Sequence, residues 1–258
     1  MSRGIALITG ASSGIGEALA HQFAGQGFDL IITARRGDLL ANLAETLEET
    51  VQVDIITCDL AAPEGAQTLF DAVTELGKPV DILVNNAGVA HSDEFHKLEP
   101  QQVSQLIALN ITALTTLSHL FLNEMVARGS GRILNVASVA AFQPVPAMSL
   151  YAASKAFVLS LTEALSEELR GTGVSVTALC PGLTKTEMVE QLAAGDVPEV
   201  FMSSTTTVAR EGYEALMARE VIRIPGLANQ AAVTWAQHQP RWLVRGIGGF
   251  ISKFRPPR

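Results

Sequence analysis

Apolar positions follow two rhythms along this chain. Short runs rich in Val, Ile and Leu, bounded by Gly, Asn or Asp, fall at residues 5–9, 29–33, 51–57, 82–84, 132–136 and 174–179. Their brevity and β-branched content predict buried strands. Between them, residues 15–26, 38–49, 63–76, 101–128 and 150–170 space their apolar side chains three and four apart, which predicts helices. Near-continuous hydrophobic strands alternating with helices require a parallel sheet covered on both faces. The predicted class is α/β with a doubly wound parallel sheet. Ligands of such sheets bind outside the carboxyl ends of the strands, so chemistry is sought in the loop after each strand.

After Leu179 the rhythm breaks. Residues 181–200 have no clean period and contain Gly182, Gly195 and Pro198. A helix is predicted over 205–220 and a last strand over 221–224, stopped by Pro225-Gly226. Helical patterns at 227–239 and 240–254 form a C-terminal helical extension. No linker divides the chain, so residues 1–258 are expected to form one domain, with 184–204 as a substrate lid and 226–258 as the extension.

The chain is 48% hydrophobic and 17% charged, which excludes general disorder. A net charge of −8 argues against a nucleic-acid partner. The balance is uneven: from Val221 onwards there are six cations and no acid. Cys58 and Cys180 each lie in an apolar run and cannot make a disulfide framework, which predicts reduced, buried thiols in an intracellular protein. Met1-Ser2-Arg3-Gly4 runs straight into the first strand, so no leader is expected. No run of ~18 apolar residues predicts a spanning helix. The expected location is cytoplasmic.

The first loop carries the first chemical signal. Thr9-Gly10-Ala11-Ser12-Ser13-Gly14-Ile15-Gly16 follows the first strand and opens the first helix. Glycines there allow a tight turn and close backbone approach to a pyrophosphate, and the helix N-terminus adds unpaired N–H groups. This points to a Rossmann-like dinucleotide site. No Lys-Ser/Thr ending follows, which disfavours a P-loop. The second strand ends at Thr33-Ala34-Arg35-Arg36, where an NAD-selective site usually has a carboxylate for the ribose 2′-OH. Arg35 and Arg36 suit a 2′-phosphate instead, so NADP(H) is favoured over NAD(H). The alternative is that both arginines only cap the following helix.

Tyr151-Ala152-Ala153-Ser154-Lys155 places a phenol and an ammonium four residues apart on one helix face. A neighbouring ammonium lowers a phenol pKa and makes it a usable proton donor and acceptor. Ser138, at the end of a predicted strand, could hold a substrate oxygen beside that phenol.

From Ile5 to about Thr186 the sequence resembles the short-chain dehydrogenase/reductase family in its single-domain form. Gly10, Gly14 and Gly16, with Ser12, Ser13 and Ile15, resemble the family's T-G-x-x-x-G-x-G segment. Asp59-Leu60 resembles the pair that meets the adenine. Asn85-Asn86-Ala87-Gly88 is similar to its N-N-A-G. Pro181-Gly182-Leu183-Thr184 with Thr186 resembles the segment holding the nicotinamide carboxamide, although Thr184 stands where the family more often has an aliphatic residue. Asn110, Ser138, Tyr151 and Lys155 match its catalytic tetrad. The resemblance implies hydride transfer between a nicotinamide and a carbonyl or alcohol carbon. It implies that Tyr151 gives the proton, Ser138 stabilises the oxygen, Lys155 lowers the Tyr151 pKa and bonds the ribose, and Asn110 anchors a water.

Two classes of function are compatible with these residues: an NADP-dependent oxidoreductase, and a non-catalytic dinucleotide-binding sensor or scaffold. The Tyr-Lys pair separates them, because a sensor has no need of it. The five histidines show no metal-ligand spacing, so no metal is expected, and no G-x-S-x-G elbow suggests a hydrolase. Val89, Val139, Ala140, Phe142, Val145, Met148, Leu183, Met188 and Leu192 are expected near the nicotinamide and favour a hydrophobic ketone or acyl-chain substrate. Residues 101–128 and 150–170 resemble the family's dimer faces, so a homodimer or homotetramer is expected. Leu243, Ile247, Phe250, Ile251 and Phe254 form an apolar stripe flanked by Arg241, Arg245, Lys253 and Arg255. This stripe is expected to pack on the domain or a dimer mate; the alternative is peripheral membrane contact through 240–258.

Overall fold

The computed structural model describes residues 2–188 and 202–246. Seven strands form one sheet: β1 (Ile5–Thr9), β2 (Asp29–Ala34), β3 (Val53–Thr57), β4 (Ile82–Asn85), β5 (Gly131–Val136), β6 (Val174–Leu179) and β7 (Ile222–Arg223). The helices are α1 (Gly14–Gly25), α2 (Gly37–Leu47), α3 (Gly65–Glu75), α4 (Pro100–Ile107), α5 (Leu114–Arg128), α6 (Ser149–Glu168), α7 (Thr205–Met217) and α8 (Leu227–Gln237).

The strand order is β3-β2-β1-β4-β5-β6-β7, and every neighbouring pair is parallel. The chain builds outward from β1 to β3, then returns to start again beside β1 with β4. That reversal leaves a crevice between the β1 and β4 loops at the carboxyl edge.

The strand pleat sends alternate side chains to two cores. Ala6 and Ile8 of β1 join Leu19 and Phe23 of α1 on one face. Leu7 joins Leu69, Phe121 and Met125 on the other. Phe23, Phe28 and Tyr213 meet edge-to-face on the first face, so one of the chain's two tyrosines is a core residue. A third cluster, including Leu114, Val158 and Cys180, holds α6 near β6.

The expected helix over 101–128 is interrupted. Between α4 and α5 the turn widens to a π-helix over Ala108–Ala113, in which Asn110 and Ala113 are buried. A widened turn inserts a residue into the helix, and such bulges mark functional positions. Pro100–Arg128 as a whole is long and apolar enough to cross a membrane by length and composition, although polar residues interrupt every apolar run within it. Its Leu106, Leu114, Leu117, Phe121 and Met125 are buried within the protein.

Beyond β6, Lys185 N–H bonds Ser203 O at 3.1 Å and Ser203 N–H bonds Leu183 O at 2.9 Å, tying together the two ends of the expected lid. Leu192 lies outside the described residues. So do Ile247, Phe250, Ile251, Phe254, Lys253 and Arg255, and with them most of the expected apolar stripe. Trp235 and Trp242 are exposed.

Candidate active site

The β1 loop turns because Gly10 and Gly14 adopt φ of +68° and +63°, in the left-handed region that side chains disfavour. The β4 loop is fastened to it. Asn86 Nδ2 donates to Thr9 O at 2.9 Å and Gly10 O at 3.2 Å, and the N–H groups of Asn86 and Ala87 both donate to Thr9 Oγ1 at 3.0 Å. Gly16 is buried beneath this knot and does not line the cleft. The α1 N-terminus has no side-chain cap from Ser13, so its first N–H groups are available to a ligand.

A cavity of about 670 Å³ runs along the carboxyl edge of the sheet. Volumes of ~300–1,000 Å³ are usual for ligand sites. Gly10, Ser12, Ser13, Gly14 and Ile15 line one part, joined by Arg35 and Arg36. Asp59 and Leu60 line it from the β3 loop, and Asn86, Ala87 and Gly88 from the β4 loop. Ser138, Tyr151 and Lys155 also line it, as do Pro181, Gly182, Thr184 and Thr186. Leu183 is exposed and is not in the lining.

Arg36 begins α2 by its backbone, yet its side chain does not cap that helix. The guanidinium instead spans the β1 loop. Nε and Nη2 donate to Ser12 Oγ at 3.4 and 3.2 Å, Nη2 donates to Ser13 Oγ at 2.8 Å, and Nη1 pairs with Glu187 Oε2 at 3.1 Å. Hydroxyls, a guanidinium and an uncapped helix N-terminus make an anion cradle.

At the other end, Ser138 closes β5 and caps the 3-10 turn Val139–Phe142, its Oγ accepting from Ala140 N–H at 3.1 Å. Tyr151 and Lys155 lie one turn apart on α6. Lys155 Nζ donates to Val136 O at 2.7 Å and sits 5.7 Å from the Tyr151 ring centroid. Burial pulls the Lys155 ammonium down to about 8. Burial also raises the Tyr151 phenol above its ordinary value, against an opposing hydrogen bond with Ser138. The expected lowering of the phenol by Lys155 is therefore not what this cleft displays. Desolvation by burial is the larger influence. Cys180, behind Ser138, is pushed up to about 12 by burial and stays a thiol.

Asn110 turns inward from the π-helix. Its Oδ1 accepts from Val89 N–H at 2.9 Å, and its Nδ2 donates to Val89 O at 2.9 Å and Ser154 Oγ at 3.2 Å. Ser154 Oγ donates in turn to Tyr151 O at 2.7 Å. Gly88 lies against Asn110 and Lys155: a Cβ there would come 3.3 Å from Asn110 Oδ1 and 3.6 Å from Lys155 Nζ.

Several residues that shape this site, Asn85 of the N-N-A-G segment apart, carry no distinguishing mark in the sequence. Ser154 is visible there only as filler in Tyr151-x-x-x-Lys155. Asn85 and Asn135, paired across β4 and β5, bond at 2.9 Å, and they reach Ser118 of α5 and Thr162 of α6 at 3.0 Å each. This buried ladder fixes α6, which carries Tyr151 and Lys155. Two polar residues closing otherwise apolar strands were the available signal. Glu187 gave none. Among the expected substrate residues, Val89 and Met188 line the cavity, but Val139, Ala140, Phe142, Val145 and Met148 do not. Phe142 packs instead on the α6–β6 cluster. His91, Ser92, Asp93, Gln102 and Gln105 give the lining more polar character than expected. Among the described residues no group of three or more His, Cys, Asp or Glu side chains could hold a metal.

The depressed lysine predicts a pH signature. Below pH 8 both folded and unfolded chains hold the proton, and the buried ammonium costs stability in full. Between about 8 and the ordinary 10.5 the folded protein sheds the proton first, so stability rises with pH. Above 9 the raised Cys180 thiol works in the opposite direction. Urea unfolding of wild type and Lys155→Met should therefore be compared between pH 7 and 9. The stability of the methionine variant relative to wild type should fall by about 1 kcal/mol over that range. A constant difference would mean that Lys155 is not depressed.

The chain matches the family described as "short chain dehydrogenase" over residues 4–196. Sulfoacetaldehyde reductase 2 of Chromohalobacter salexigens is 39% identical over 217 residues, covering 83% of this chain and 86% of that protein. A short-chain dehydrogenase from Sphingobium yanoikuyae in complex with NADPH superposes with a TM-score of 0.83 at 34% identity, covering 99% of this chain and 97% of that one. The bulky-bulky ketone specific alcohol dehydrogenase of Comamonas testosteroni gives 0.79 at 32% identity, covering 100% and 97%. Sequence match, sheet order and likeness to solved members agree, and the chain belongs to the short-chain dehydrogenase/reductase family.

Proposed function

We propose that this protein is an NADP(H)-dependent oxidoreductase that interconverts a hydrophobic ketone or acyl-chain carbonyl and its alcohol. The observation that carries the reading is one cavity with two kinds of end. Tyr151, Ser138 and Lys155 line one end, and Arg36 with the open α1 N-terminus lines the other.

The residues present fit a nicotinamide dinucleotide. The β1 loop and α1 N-terminus would hold its pyrophosphate. Asp59 and Leu60 would meet the adenine, Arg35 and Arg36 the 2′-phosphate, Lys155 the nicotinamide ribose, and the 181–186 segment the carboxamide. When bound, the nicotinamide supplies the two-electron reduction of the carbonyl carbon or its reversal. Ser138 and Tyr151 hold the carbonyl oxygen, and Tyr151 passes its proton to that oxygen as negative charge develops. Lys155 holds the ring side of Tyr151 and keeps an exchangeable proton close by. Asn110, through Val89 and Ser154, fixes the backbone on both sides.

An apolar carbonyl is favoured because the lining cations are Arg35, Arg36 and Lys155, all with other tasks. Among the described lining residues no further Lys or Arg would hold a phosphate or sulfonate. Val89, Leu98, Leu109 and Met188 contribute apolar side chains to the cavity lining. A homodimer or homotetramer and a cytoplasmic location complete the proposal. The tail, 240–258, is proposed to pack on the domain or a dimer mate, with peripheral membrane contact as the alternative.

Solved relatives carry NADPH or NAD, so the phosphate preference rests on Arg36 rather than on kinship. Arg36→Ala should weaken NADPH by roughly 10- to 100-fold, the scale of a lost charge-assisted hydrogen bond, and should change NADH little. Titration of protein fluorescence with both cofactors checks this. Equal losses for the two would reduce Arg36 to a brace for the loop.

A further inference from the structure

We infer that Glu187 is an intramolecular occupant of the 2′-phosphate subsite and tempers the preference for NADP(H) over NAD(H). The inference rests on the NADP(H) reading above and adds a residue from a different part of the chain.

β2 ends without the carboxylate that commonly binds a ribose 2′-OH; Ala34 is followed by two arginines. A carboxylate is nevertheless present at that place in space. Glu187, 151 residues further along, pairs with Arg36 Nη1 at 3.1 Å. The rest of the guanidinium is committed: Nε and Nη2 are both on the hydroxyls of the β1 loop. Nη1 is thus the donor that a 2′-phosphate would most readily take, and Glu187 holds one of its two N–H groups. The neighbouring Thr186 also packs on the loop, since a Cβ on Gly14 would come 3.2 Å from its Cγ2.

Charge sets the two anions against each other. A phosphate brings nearly two negative charges to a guanidinium that already carries one partner. Both anions cannot share Arg36 without strong repulsion, so Glu187 must leave when the phosphate arrives. Its departure is easy, because the Arg36 and Glu187 side chains are 44% and 53% exposed, and exposed pairs hold weakly. NAD(H) presents a hydroxyl there instead. That hydroxyl can donate to the carboxylate and leave the ion pair intact. Glu187 therefore opposes one cofactor and tolerates or assists the other.

The test is calorimetric binding of NADPH, NADH, adenosine 2′,5′-bisphosphate and AMP to wild type, Glu187→Gln, Arg36→Ala and the double variant. Glutamine keeps the size and removes the charge. Glu187→Gln should tighten NADPH and the bisphosphate about two- to fivefold, the worth of an exposed ion pair, without tightening NADH or AMP. In the Arg36→Ala background the same change should do nothing. Unchanged or weaker NADPH binding by Glu187→Gln, or equal gains for all four ligands, would overturn the inference. If that happens while Arg36→Ala still lowers the preference for NADPH, only the role of Glu187 falls. If Arg36→Ala leaves the preference untouched, the NADP(H) reading falls with it.

Discussion

Tyr151→Phe is expected to lose turnover by ~10²–10⁴-fold, the usual worth of a positioned proton donor, while dinucleotide affinity stays within a few-fold. The structure separates these two effects. Phenylalanine keeps the ring against Lys155 and keeps α6 packed, so the cleft should hold its shape. What disappears is the hydroxyl paired with Ser138. Initial rates of carbonyl reduction, with cofactor affinity from fluorescence titration, decide the matter. Near-normal turnover would mean that another group supplies the proton.

Gly16→Ala is expected to damage the dinucleotide cradle and the fold together. The backbone angle is not the obstacle, since Gly16 is outside the positive-φ set. Space is: a Cβ there would come 2.2 Å from Gly10 O and 2.5 Å from Asn86 Nδ2. Neither neighbour can yield cheaply. Gly10 O belongs to the turn, and Asn86 Nδ2 is the staple that joins the β4 loop to that turn. Overpacking of this kind costs about 1–3 kcal/mol, and in a chain of this size each kcal/mol shifts Tm by roughly 2–4 °C. Cofactor affinity should fall well beyond what the loss of stability explains. Gly25→Ala in the same helix is the control. Nothing lies within 4 Å of its added Cβ, so it should be neutral or mildly stabilising. If Gly16→Ala binds and melts like Gly25→Ala, the packing argument is wrong.

The central strands were legible in the sequence because they are short, apolar and buried on both faces, as β1 shows with Ala6, Leu7 and Ile8 fully buried, whereas the edge strands β3 and β7 are only partly covered. Edges moved by a residue or two where turns compete: β3 starts at Val53 rather than 51, because Thr50 and Val51 N–H groups still bond Leu47 O at the end of α2. The π-turn at Ala108–Ala113 was illegible, since periodicity at three and four does not register one extra residue. Motifs within one loop were readable as units, and Gly10, Asn86, Ser138, Tyr151 and Lys155 do come together around one cavity. Contacts that join distant loops were not. No local pattern relates Glu187 to Arg36, or Ser154 to Asn110. The substrate side was the least legible: Phe142 reads as a cleft residue by position, yet it turns into the α6–β6 cluster.

The most direct test of the account is a rate measurement with purified protein, NADPH and a panel of carbonyls: aryl and alkyl ketones, a β-ketoacyl thioester, a phosphorylated sugar and a sulfonated aldehyde. Wild type should oxidise NADPH fastest with the apolar ketones or the thioester, and Tyr151→Phe should remove that rate. Oxidation of NADPH that no carbonyl stimulates, or that Tyr151→Phe leaves intact, would contradict the reading of this cleft as a carbonyl-reducing site.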